Sequence, residues 1–228
     1  MMEIWRWDRF FEVWPYIGEG LVTTITYTLL GSVVAYVLGL IFAVVRQLRI
    51  PVVDQILWGF IEFVRSTPLL VQVFFLFHVL RPELLSGTGV DLSTQRLIVG
   101  TAAVGIHYAC YTSEVYRAGI EAVPRGQWEA ATALSIPGMR VWTGIILPQA
   151  VPRVLPALGN YTIAMFKEVP LLFTIGVLDI VFYVKTVFAS DVGGAGPEAW
   201  FAAGLTFLAL SYPCSLLVRR LERRVGTV

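Results

Sequence analysis

Read from the amino terminus, the chain alternates long apolar stretches with short polar ones, and the apolar stretches have membrane length. A bilayer core takes about 20 apolar residues as one helix. Residues 21–45 carry no charge and form the clearest span. Further spans are expected near 56–80, 97–116, 154–177 and 199–218, the second interrupted by Glu62 and Arg65. The apolar run 141–150 is too short to cross and leads into the fourth span. The run 175–188 contains Asp179 and Lys185, so it reads as an outer re-entrant or interfacial piece. The pattern predicts one all-α integral membrane domain, 1–228, with about five transmembrane helices.

Ahead of the first span, Trp7, Phe10, Phe11 and Trp14 fall at i, i+3, i+4 and i+7. That stripe predicts an outer interfacial helix within 1–18, the alternative being an aromatic belt without regular structure. Inside the first span, Gly31, Ala35, Gly39 and Ala43 recur every four residues, a spacing that lets another helix approach closely.

Composition supports the membrane reading: 57% of the residues are apolar and only 14% charged, with a mean hydropathy of +0.72. A soluble chain of this size would lack the charged surface it needs. The amino-terminal segment has no uninterrupted apolar stretch of signal-peptide form, so the first apolar run is expected to stay in the membrane. Cys110 and Cys214 both lie in apolar runs and read as small hydrophobes rather than a disulfide or metal pair.

The cations decide orientation. With the carboxyl terminus inside, the inner segments hold ten arginines: Arg46, Arg49, Arg117, Arg125, Arg140, Arg153, Arg219, Arg220, Arg223 and Arg224. The outer segments hold five cations: Arg6, Arg9, Arg81, Arg96 and Lys185. The positive-inside rule then gives N-out, C-in.

Between the third and fourth spans, the inner loop 119–140 contains a short helical pattern. Pro124 suits a helix entry, residues 129–134 are helix formers, and Pro137-Gly138 ends the run. The helix is too small and too polar to carry a core of its own, so it either lies on headgroups or docks into another protein. The loop reads Glu129-Ala130-Ala131, then Ser135, then Ile145-x-Leu147-Pro148. This resembles the cytoplasmic signature of ATP-binding-cassette importer permeases, in which a glycine stands where this chain has Ser135. The resemblance implies a coupling helix seated in a groove of the ATPase, with Arg125, Gly126, Glu129, Ala130, Ala131, Leu134 and Ser135 at the contact. Small Ala130 and Ala131 would permit close approach and Glu129 would offer an anion. The serine departs from the family pattern at a position where glycine takes positive φ at little cost.

The likeness extends along the chain. Arg65-Ser-Thr-Pro-Leu-Leu-Val-Gln72, Tyr111 to Gly119, Pro148-Gln-Ala150 and Asn160 to Lys167 resemble the polar amino-acid uptake permeases. Within that group, Glu114 to Trp128 and Pro156 to Leu172 look most like permeases for ectoine and hydroxyectoine. The resemblance implies a compatible-solute or polar amino-acid importer of the bacterial inner membrane. Its implied partners are a second permease subunit (identical or related), two ATPase subunits and an extracytoplasmic solute-binding protein, with no nucleic acid. ATP and Mg would be held by the ATPase, with no cofactor on this chain.

Charges inside spans are expensive and usually face a cavity or one another. Glu62 and Arg65 share a helix face, and Pro68 frees the Val64 carbonyl from its helix bond. Lys167 lies about 20 Å from the expected start of the fourth span, near the midplane, with Glu168 and Pro170 following. Glu62, Arg65, Thr67, Pro68, Lys167 and Glu168 are therefore candidates for the solute path or its gate. The alternative is that these charges only fix helix packing. Glu114 is expected to pair structurally near Arg117, and His78 and His107 to pack helices without binding metal. The chain's two lysines, Lys167 and Lys185, do not follow glycine, so there is no P-loop; nor is there a G-x-S-x-G or H-E-x-x-H pattern. The chain is thus expected to be a transport subunit and not an enzyme. A passive channel or intramembrane enzyme is the competing class, and it leaves the 129–148 pattern without a role.

Overall fold

In the computed structural model, residues 5–79 and 91–225 are described. Expectations that touch residues 1–4 and 80–90 lie outside them, including the first residues of the interfacial helix, the end of the second span and Arg81. All regular structure among the described residues is helical. The helices are α1 (Trp7–Glu12), α2 (Trp14–Gln47), α3 (Pro51–Arg65), α4 (Leu69–Val79), α5 (Leu92–Glu121), α6 (Arg125–Ala133), α7 (Gly138–Val141) and α8 (Leu147–Glu168). They continue with α9 (Ile180–Phe182), α10 (Ala189–Val192) and α11 (Pro197–Val225). A π-helical turn, Trp142–Ile146, joins α7 to α8, a 3-10 turn, Val169–Ile175, follows α8, and a second π-helical turn, Tyr183–Phe188, joins α9 to α10.

The centre of the bundle is the parallel pair α2 and α5. The small-residue stripe of α2 is the seam: Gly31 meets Val104, and a Cβ on Gly39 would lie 2.1 Å from Thr112 Oγ1 and 3.0 Å from the Ala109 carbonyl. The Thr112 hydroxyl donates to the Ala35 carbonyl at 2.9 Å, satisfying a polar group between the helices. Antiparallel α8 lies on α5, with Val154 against Gly119, and α11 lies on α8, with Val218 against Gly159. The main core forms where these meet, from Tyr27, Leu69, Val104, Met165 and Leu172. A second cluster, including Ile17, Ile180, Val184, Phe188 and Ala202, ties the segment 180–192 to α2 and α11.

Three helical stretches are long and apolar enough to cross a membrane, 7–47, 138–175 and 197–225, and α3 with α4 makes a fourth if the bent pair counts as one span. The third expected span, α5, has 30 residues but falls short in apolarity, because it is the central helix. Its Gln95, His107, Thr112 and Ser113 are buried in protein, so they need no lipid-compatible surface.

Several boundaries differ from expectation. The second span is not one helix: α3 and α4 meet at 110°, broken at Ser66 to Pro68. The first helical span begins at Trp14, not residue 21, and Val13 links α1 directly to it. The amino-terminal stripe is thus an extension of that helix. Its Phe10 packs near Phe201 of α11 (ring centroids 6.4 Å apart), while Trp7, Phe11 and Trp14 stay exposed. The fourth span starts earlier, at Leu147, and its α-helix ends at Glu168, where Pro170 lies in the tighter 3-10 turn.

Candidate functional site

Two features bear on function. The first is α6, at the end of the bundle where α2, α5 and α11 terminate. Pro124 stands at the start of its amino end without a side-chain cap, and its carboxyl end closes in a Schellman turn. Ile136 N donates to the Ala131 carbonyl at 3.0 Å and Ser135 N to the Thr132 carbonyl at 2.9 Å. Such a turn needs a left-handed residue after the cap, and Ser135 adopts φ +50°. One face of α6 holds the helix to its own chain: Ala131 is buried with Ile120, Val123, Val141 and Ile146, beside Trp128 and Trp142. The other face is open. Arg125, Gly126, Glu129, Ala130 and Ser135 are exposed, as is Leu134, and Met139 extends the same open surface. Ala131, expected at the contact, therefore faces inward and serves the anchoring side. An ion-pair chain runs from Asp54 through Arg46, Glu114 and Arg117 to Glu121, the last residue of α5. The expected Glu114–Arg117 pair is present at 2.7 Å.

The second feature is a half-buried face where α3, α4, α5 and α8 meet. The Val64 carbonyl, freed by Pro68, finds Gln72: the amide Nε2 donates to Val64 O at 2.7 Å and to Thr67 Oγ1 at 2.7 Å. The other end of Gln72, Oε1, lies 3.0 Å from His107 Nδ1, tying the break to α5. His107 thus belongs to the bend, a role its isolated place in an apolar run did not signal. His78 is exposed and rests on the Phe74 carbonyl. Among the described residues no three metal-ligating side chains gather.

Arg65 pairs with Glu62 at 3.1 Å and lies 5.4 Å over the Tyr111 ring. Its Nε is buried without a hydrogen-bond partner. Tyr111, Tyr108 and Tyr161 pack with centroids about 6 Å apart, and the Tyr108 hydroxyl donates to Glu168 at 2.8 Å. Tyr108 lies near the middle of α5, so Glu168 sits at mid-depth in the bundle. Arg65, Thr67 and Glu168 are thereby brought to one aromatic-lined face. Lys167, one residue from Glu168, is exposed on a different side of α8 and does not join them. Tyr108, Tyr111, Tyr161 and Gln72 were not singled out from the sequence. The signal available was a polar side chain recurring inside an apolar helix, at 107, 108 and 111 of α5.

A helical bundle with a broken span, mid-depth charges and an exposed polar helix at one end has the architecture of a transporter's membrane subunit. The family model of the binding-protein-dependent transport system inner membrane component matches residues 35–227, and the chain belongs to that family. It is 41% identical over 208 residues to the probable amino-acid ABC transporter permease y4tG of Sinorhizobium fredii (strain NBRC 101917 / NGR234), covering 91% of this chain and 86% of that one. It is 31% identical to the L-cystine transport system permease TcyL of Bacillus subtilis (strain 168), over 92% of this chain and 87% of that protein. Among solved structures, an amino acid ABC transporter crystallised with histidines superposes with a TM-score of 0.79 at 30% identity, covering 92% and 94% of the two chains. The MetNI methionine transporter shares the fold, with a TM-score of 0.75 at 15% identity over 94% of this chain and 98% of that one. The chain is therefore an inner-membrane permease subunit and not an enzyme, with ATP hydrolysis carried by a separate chain.

Proposed function

We propose that the chain is the permease subunit of an importer for polar amino acids. The supporting observation is that relatives matched over nearly their full length include L-cystine and glutamine permeases. These relatives favour the amino-acid alternative over ectoine or hydroxyectoine, whose support is confined to the likeness of 114–128 and 156–172. In this reading two permease subunits, identical or related, pair in the membrane. Two ATPases, which hold ATP and Mg, dock on α6 from inside, and a solute-binding protein delivers from outside. Arg125 and Glu129 supply charge at the ATPase contact, Gly126 and Ala130 allow close approach, and Leu134 with Met139 adds apolar area beside Ser135. Arg65 meets the carboxylate of the solute and Glu168 its ammonium group, with the tyrosines as walls. Glu62 holds Arg65, while Thr67 and Pro68 shape the break. Lys167, turned away, is assigned no solute contact.

The test is ATP-dependent uptake in vesicles holding this chain with its co-encoded ATPase, permease and binding protein. Labelled glutamine, histidine, arginine and cystine are compared with ectoine. Uptake of one or more amino acids in preference to ectoine is expected. Uptake of ectoine alone would overturn the amino-acid assignment, and ATP-independent flux would overturn the importer.

A further inference from the structure

We propose that the groove between α2 and α5 binds one anionic glycerophospholipid, with its phosphate at Arg96 and one acyl chain laid along the two helices. Tyr27 packs on Gly100 and Gly31 on Val104, and the same register puts Thr23 level with Arg96, at the edge of the first and third apolar runs. Arg96 has no carboxylate partner among the described residues, and its Nε is buried without a hydrogen bond. Its guanidinium packs on Gly176, at φ +79°, so closely that a Cβ there would lie 2.8 Å from it. Asp91, at the start of the same helix, is already occupied by the hydroxyls of Ser93 and Thr94. An unpaired cation at the level of the headgroups attracts an anion. The cavity in front of it, about 330 Å³, is lined by Thr23, Thr26 and Ser93, which suit phosphate and glycerol oxygens.

At Leu97 this cavity adjoins a second, of about 380 Å³, whose lining is aliphatic apart from Thr101. Leu30, Val34 and Leu38 line one wall, and Ile98, Ala102 and Ile106 the other. From Thr26 to Leu38 the helix rises about 18 Å, close to one leaflet's half of a ~30 Å hydrocarbon core. The groove uses the side of α5 opposite His107 and Tyr111, so it faces away from the charged aromatic face. A free phosphate would leave the apolar groove empty, and a zwitterionic headgroup would bring its own cation towards Arg96. An anionic lipid satisfies both halves.

The experiment is native mass spectrometry of the permease, purified with its partner subunits and titrated with phosphatidylglycerol or phosphatidylcholine. One phosphatidylglycerol retained per chain is expected from the unaltered protein. Arg96→Gln should weaken it by about fivefold, the worth of one surface cation. Ala102→Phe, which fills the groove and leaves the cation, should also displace it, and Arg219→Gln should not. The proposal fails if the unaltered protein retains no lipid, if phosphatidylcholine is held equally, or if glycerol phosphate alone competes. It also fails if Arg96→Gln impairs docking of the solute-binding protein while lipid retention is unchanged.

Discussion

At the scale of single residues, Ser135 shows how a departure from a family pattern is absorbed. The Schellman turn after α6 demands a left-handed residue, and the chain places serine there rather than glycine. For a residue with a Cβ this conformation costs about 1–2 kcal/mol. Ser135→Gly removes that strain, while added freedom in the unfolded chain offsets part of the gain. The net expectation is slower amide exchange in α6, by about fivefold, read by hydrogen–deuterium exchange. Unchanged or faster exchange would mean the turn is not strained. Asp179 makes a second case. It is fully buried, its Oδ1 accepts from Phe182 N at 2.7 Å, and its Oδ2 has no partner. Burial pushes its carboxyl from 3.8 up to about 7. Between those values the folded chain holds a proton the unfolded chain has lost, so stability declines as pH rises through this window and levels off above it. Asp179→Asn keeps the capping acceptor and removes the charge. The variant should melt higher than the parent at about pH 8, with the difference gone near pH 4. A difference independent of pH would refute the buried-charge explanation.

At the scale of elements, α6 is short and two-faced. Its buried side, Ala131 with Ile120 and Val123, fixes it to the bundle, so a load on its open side is passed to α5 and α8. Glu129 is on the open side, and reversing its charge disturbs no contact inside the chain. Glu129→Arg should therefore insert and pair normally yet abolish ATP-driven uptake and co-purification of the ATPase. Retained uptake would remove α6 from the coupling role. The helical elements themselves were largely readable in the sequence, because apolar length and small-residue spacing act locally. Gly39 announced the α2 seam, although its partner, Thr112, is 73 residues away and could not be named from spacing. Pro68 announced a break and an unsatisfied Val64 carbonyl, yet the angle and the rescue by Gln72 depend on packing against His107. The third span was legible from length alone, since a central helix in a membrane bundle need not be uniformly apolar.

At the scale of the whole molecule, what sequence spacing could not supply was convergence. Arg65 and Glu168 lie about a hundred residues apart, and only the packing of both on the tyrosines of α5, Arg65 over Tyr111 and Glu168 at Tyr108, brings them to one face. The same packing separates Lys167 from Glu168, two neighbours that the sequence suggests acting together. Whether this face carries solute or only holds helices can be decided by how the two charges fail. A cation kept only for packing would be replaceable by an uncharged side chain of similar shape, with any defect appearing as lost assembly. A pair that binds the two ends of an amino acid would fail differently. Arg65→Gln and Glu168→Gln should each assemble with the ATPase, hydrolyse ATP and accept the binding protein, yet lose amino-acid uptake by about tenfold or more. Loss of one charge-assisted contact, about 1.5–3 kcal/mol, is of this size. Substrate analogues give the sharper reading: a solute lacking its ammonium group should be transported no worse by Glu168→Gln than by the parent, while one lacking its carboxylate should be indifferent to Arg65→Gln. Equal losses for every analogue in both variants would place the charges in the scaffold and leave the tyrosine walls as the only surface the solute meets.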